Sequence, residues 1–105
     1  MLEKVKIGGM EYDIEQVKFD EDDDVTILGE CHYEQPKILI NSESSTKRKE
    51  QTLIHEIAHA MLFEVGAPEY EDEELVNRIG MIMYQVLQEN DFSFIRKDDS
   101  LASNM

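Results

Sequence analysis

Between residues 46 and 65, apolar side chains recur at helical spacing. Leu53, Ile54, Ile57, Ala58, Met61, Leu62 and Val65 fall at offsets of one, three and four, which draws one apolar face on a helix. Gly66 and then Pro68 end it. A second stripe, made of Leu75, Val76, Ile79, Ile82, Met83, Val86 and Leu87, predicts another helix over residues 72–89. With 105 residues the chain has room for one hydrophobic core, so both helices must serve it.

The rest of that core must come from strands. Val5-Lys6-Ile7 and Tyr12-Asp13-Ile14 alternate apolar and polar around Gly8-Gly9, a hairpin signal, so residues 4–19 read as strand material. Residues 25–34 predict a third strand, interrupted at Gly29. Lys37-Ile38-Leu39-Ile40-Asn41 predicts a fourth, with Pro36 at its start. Ser42 to Thr46 is a joint rich in helix-capping residues. The expected fold class is α+β: a small N-terminal antiparallel β-sheet packed on two helices, with residues 1–95 as one domain and 96–105 as a flexible tail.

Charge narrows the function. Ten Lys and Arg stand against 24 Asp and Glu, a formal net charge of -14, which argues against direct binding to nucleic acid or to an anionic membrane. Five consecutive acids, Asp20 to Asp24, have the look of a calcium loop but fail its spacing. The sixth position from Asp20 is Val25 rather than Gly, and the twelfth is Cys31 rather than Glu, so a solvated loop is expected. The first residues are charged and lack the apolar run of a secretory leader, and a single cysteine, Cys31, has no partner for an intrachain disulfide. A reducing, cytoplasmic setting is the expectation.

The first helix carries His55-Glu56-Ile57-Ala58-His59, an H-E-x-x-H pattern. Residues four apart lie one above the other on a helix, so both imidazoles can reach one ion. Glu56 lies about 100° round the helix, displaced from the ligand direction but placed to bond a water beside the ion. Two neutral histidines and a carboxylate suit Zn²⁺, and a hydrolytic zinc needs three protein ligands and an open position. Downstream acids that could supply the third are Glu64, Glu69, Glu71, Asp72, Glu73 and Glu74. On the second helix Glu73, Asn77, Gly80 and Tyr84 form a stripe bordering the core face, which selects Glu73, with Asn77 as a partner one turn on. A helix N-terminus favours acids in any case, so Glu71 and Glu74 stay open as alternatives. The six residues Ala67 to Asp72 can span about 20 Å, enough to bring Glu73 back beside His59.

The motif together with Glu73-x-x-x-Asn77-x-Ile79-Gly80 resembles the gluzincin arrangement, and in particular the ImmA/IrrE-type metallopeptidases and their short relatives in phages and prophages. The similarity spans about residues 4–92. It implies a minimal zincin-like fold with Ile38-Leu39-Ile40 as an edge strand, His55, His59 and Glu73 as zinc ligands and Glu56 as catalytic acid/base. It further implies a protein or peptide substrate, such as a transcriptional regulator, in a bacterial or phage-infected cell. Tyr84, Tyr70 and His32 are looser candidates for stabilising the transition state, and each has a structural reading as well.

Other features have plainer explanations. Cys31 and His32 read as partly buried strand residues, Met61 and Met83 as core methionines, and Lys47-Arg48-Lys49 as a solvated basic cluster. A second functional class is an acidic binding protein, an inhibitor or DNA mimic, whose metal site is structural or vestigial. An open fourth position at the metal separates the two readings. In the peptidase reading, the excess acid would attract a basic, extended peptide.

Overall fold

The computed structural model describes residues 1–20 and 26–96. Glu21 to Asp24 of the acidic run, and the tail beyond Arg96, lie outside the described residues. The elements follow in the order β1 (Lys4–Ile7), β2 (Met10–Val17), β3 (Gly29–His32), β4 (Lys37–Asn41), α1 (Thr46–Glu64), a 3-10 turn (Pro68–Glu71) and α2 (Glu73–Glu89). This is the α+β arrangement the sequence predicts. No described helix is long and apolar enough to cross a membrane.

The sheet is mixed rather than wholly antiparallel. Its order is β1-β2-β4-β3. β1 and β2 form an antiparallel hairpin closed at Ile7 and Met10, with Gly8 (φ 58°) and Gly9 (φ 88°) supplying the left-handed pair that such a tight turn requires. β3 and β4 also pair antiparallel, but β2 and β4 run parallel, with Ile14 beside Ile38. The cause lies in the connections. The link from β2 to β3 is long enough to skip a strand position, and the short turn after β3 then returns β4 into the gap. β4, the most apolar strand, is therefore interior, and β3 is the edge. This reverses the placement expected from the sequence, and an interior strand suits a run of Ile-Leu-Ile better. β3 itself is shorter than expected, ending at His32.

Strand alternation sends Tyr12, Ile14, Ile38 and Ile40 to one face, where Ile7, Leu53 and Ala60 complete the core. α1 lies across this face. Its start is capped by Ser45, whose hydroxyl accepts from the Arg48 amide at 3.2 Å. Its end is a Schellman turn: Gly66 at φ 78° lets Ala67 donate to Leu62 and Gly66 to Phe63. Asn41 ties the last strand to what surrounds it, donating to the Ile27 carbonyl and accepting from the Glu43 amide. α2 runs back antiparallel along α1, as the pairs Glu73 with His59, Gly80 with His55 and Tyr84 with Glu50 show.

Burial differs from the predicted stripes in an instructive way. Met61 on α1, Val65 at its C-cap, and Ile82 and Leu87 on α2 are exposed. In their place α1 buries the polar set Thr52, Glu56 and His59. α1 is covered on two sides, by the sheet through Leu53, Ile57 and Ala60, and by β3 and α2 through that polar set. α2 packs mainly on α1, so only a narrow face of it is covered.

Tyr12 illustrates how the sheet and helix are joined. Its ring is fully buried, and its hydroxyl donates to Glu64 Oε2 at 2.6 Å in the last turn of α1. Burial, reinforced by that carboxylate, pushes the phenol pKa up, so it stays a donor. Tyr12→Phe is expected to destabilise the protein by about 1–2 kcal/mol without altering the fold, as read by urea unfolding.

Candidate metal centre

The H-E-x-x-H motif sits in the middle of α1, where the helix is most enclosed. His55 and His59 lie one turn apart and meet edge-on, their rings 5.0 Å between centroids. Both face α2. The approach is close because Gly80 lies opposite: a Cβ there would stand 3.3 Å from the His55 Cα. Asp72 caps α2 by accepting from the Leu75 amide, which places Glu73 in the first turn, beside the imidazoles.

The carboxylate of Glu73 bridges the two rings. Oε2 lies 3.3 Å from His55 Nε2, and Oε1 lies 2.9 Å from His59 Nε2. Among the described residues, these three form the group whose donor atoms could hold one metal ion, all within 4.8 Å of one another. The alternatives sit otherwise. Glu74 points to Arg78, one turn along α2. Glu71 lines the groove but does not join the cluster.

The donor chemistry fits a cation. His59 Nδ1 lies 2.6 Å from the Tyr70 carbonyl, so its N–H belongs there. In the neutral ring this leaves the lone pair on Nε2, toward Glu73 Oε1, where both could bind one cation. Burial, with His59 nearby, holds His55 below the usual imidazole range, so it too offers a lone pair.

Glu56 occupies the buried side of the motif. It is 6% exposed. β3 reaches it because Gly29 has no side chain: a Cβ there would stand 2.6 Å from Thr52 Cγ2 and 3.2 Å from Glu56 Oε2. Burial, together with the charges of Glu73 and Glu30, raises the carboxyl pKa to about 7, against the pull of His59. A group at that value can both take and return a proton near neutrality.

The other candidates fall in different places. Tyr84 is far along the stripe, donating to Glu50 at 2.8 Å and so joining α2 to α1. His32 pairs with Glu30 on β3, at 2.9 Å. Asn77 lines the groove but makes no side-chain hydrogen bond among the described residues. The outer partner of the motif is instead the backbone of Tyr70. Tyr33, Phe63, Thr52 and Gly29 also shape the site and were not anticipated. Only Gly29 left a trace in the sequence, as a glycine inside a strand, which marks a close approach.

The groove above the motif measures about 1110 Å³ and runs between the β3 edge, α1 and α2. Fold and donor set together define a class: gluzincin-type domains, in which a helix-borne His-Glu-x-x-His is completed by an acid from the next helix. Within that class the chain belongs to the peptidase M78 family, the IrrE N-terminal-like domain, whose family model matches residues 10–87. The match runs from β2 into α2 and covers every residue of the site. No curated protein and no solved structure gives a significant match.

The buried acid makes the metal-free protein pH-sensitive. A carboxyl whose folded pKa is raised is tolerated while protonated and costs stability once ionised. Metal-free protein should therefore lose stability as pH rises from about 4.5 to about 7. Glu56→Gln should remove this slope and raise stability at pH 8 by up to about 3 kcal/mol, measured by denaturant unfolding in the presence of a chelator.

Proposed function

We propose that the chain is a zinc-dependent metallopeptidase acting on an extended segment of a protein substrate. The observation that carries this reading is the convergence of His55, His59 and Glu73 beside a buried Glu56, under a groove bounded by a free strand edge. His55 Nε2, His59 Nε2 and one Glu73 oxygen would hold the ion. Zn²⁺, when bound, supplies Lewis acidity that lowers the pKa of a water to about 7 and polarises a carbonyl.

The chain's own residues supply the rest. The Glu56 carboxylate takes the proton of the attacking water and passes it to the leaving amine. Its burial keeps bulk water from competing for that proton. Among the described residues β3 is an edge strand along the groove, where an extended peptide can add as a further strand. Glu30, Glu71 and Glu73 line the groove alongside Arg48, which favours a basic segment over an acidic one. By family resemblance a transcriptional regulator is the kind of substrate to try first. Three donor residues rather than four, among the described residues, favour hydrolysis over a purely structural metal.

Zinc should copurify with the wild-type protein at one ion per chain by elemental analysis. Glu56→Gln should keep the zinc and lose peptide hydrolysis by about 10²-fold or more, whereas His59→Ala should lose both. Wild-type protein that takes up no zinc would overturn the proposal, as would a Glu56→Gln variant that hydrolyses normally.

A further inference from the structure

We propose that the ring cluster of Tyr33, Phe63 and Tyr70 is the positioning device for the metal ligand His59. The inference rests on the metal-binding reading above. The three rings come from three elements: Tyr33 from the turn between β3 and β4, Phe63 from the last turn of α1, and Tyr70 from the 3-10 turn. Tyr33 stacks on Phe63 with centroids 4.3 Å apart. Tyr70 meets both edge-on, at 5.3 Å from Tyr33 and 5.1 Å from Phe63. These are favoured geometries for ring pairs.

The 3-10 turn has little else to fix it. None of its residues is buried, and it has no side-chain cap at its start. Its internal bonds are single links from Tyr70 to Ala67 and from Asp72 to Glu69. Yet it carries two elements of the site. The Tyr70 carbonyl receives the His59 Nδ1 hydrogen at 2.6 Å, and the next residues are Asp72, the cap of α2, and Glu73. The rings hold the Tyr70 backbone, the carbonyl keeps the N–H on Nδ1, and Nε2 keeps its lone pair for the ion. Partners of this outer kind typically alter metal affinity when lost.

Phe63 is the place to test this, because it is 36% exposed and its loss need not empty the core. Zinc affinity should be measured by chelator competition, and the His59 tautomer by nitrogen–proton correlation NMR on metal-free protein at pH 8. Phe63→Ala should lower zinc affinity by about tenfold or more and mix the two tautomers. Phe63→Tyr, which keeps the ring, should restore both. Met61→Ala, an exposed apolar residue of the same helix outside the cluster, should change neither. If Phe63→Ala does not fold, Phe63→Leu carries the same test, since it keeps the bulk without the ring. A folded ring-less variant with wild-type zinc affinity and a single Nδ1–H tautomer would overturn the inference. So would Met61→Ala reproducing the loss. Failure of the wild type to bind zinc would instead defeat the peptidase reading, and the tautomer measurement would still decide the role of the rings.

Discussion

Two close approaches to α1 govern everything the site can do. At Gly29 the edge strand comes so near that a Cβ would stand 2.6 Å from Thr52 Cγ2 and 2.9 Å from the Leu39 carbonyl. At Gly80 the second helix comes within van der Waals range of the His55 backbone. Neither approach tolerates a side chain without movement of its neighbours. Between them they enclose a polar stripe, Thr52, Glu56 and His59, that a helix of this size would ordinarily show to water. Burial then sets the electrostatics. It keeps His55 neutral and lifts Glu56 toward neutrality, the states that ligation and proton transfer require. Backbone proximity, granted by two missing side chains, is thus the origin of the chemistry.

The sequence made the helices and the motif plain, for a physical reason. Helical period is local, and H-E-x-x-H places two imidazoles on one face wherever the helix forms. The hairpin at Gly8-Gly9 was equally legible, because only a left-handed pair closes it. The sheet order was not. Whether β4 lies at the edge or inside depends on how far from β2 the chain lays down β3, and no local pattern encodes that. The apolar stripes misled at their ends for a related reason. Val65 and Met61 lie on the predicted face, yet both are exposed near the C-terminal end of α1.

The site divides along the same line. His55, Glu56 and His59 could be read from spacing, and Glu73 from a stripe that borders the core. The structure brings Glu73 to both imidazoles and turns Glu74 toward Arg78. What could not be read is the backbone carbonyl of Tyr70 at His59. A carbonyl carries no residue identity, and its position follows from three rings distant in sequence.

The acidity of the chain acquires a second meaning from this geometry. On a chain of net charge -14, Glu73 stands against the Nε2 atoms of two imidazoles, and Glu56 is buried with the charges of Glu73 and Glu30 near it. Ionising Glu56 there works against folding. A cation seated between the Glu73 carboxylate and the imidazoles would offset that charge. Binding to the folded state alone also adds stability in proportion to the logarithm of ion concentration over Kd. The buried acid that makes the empty site costly would therefore also favour a cation there. In the metallopeptidase reading, fold stability and metal occupancy would be coupled through the same few side chains.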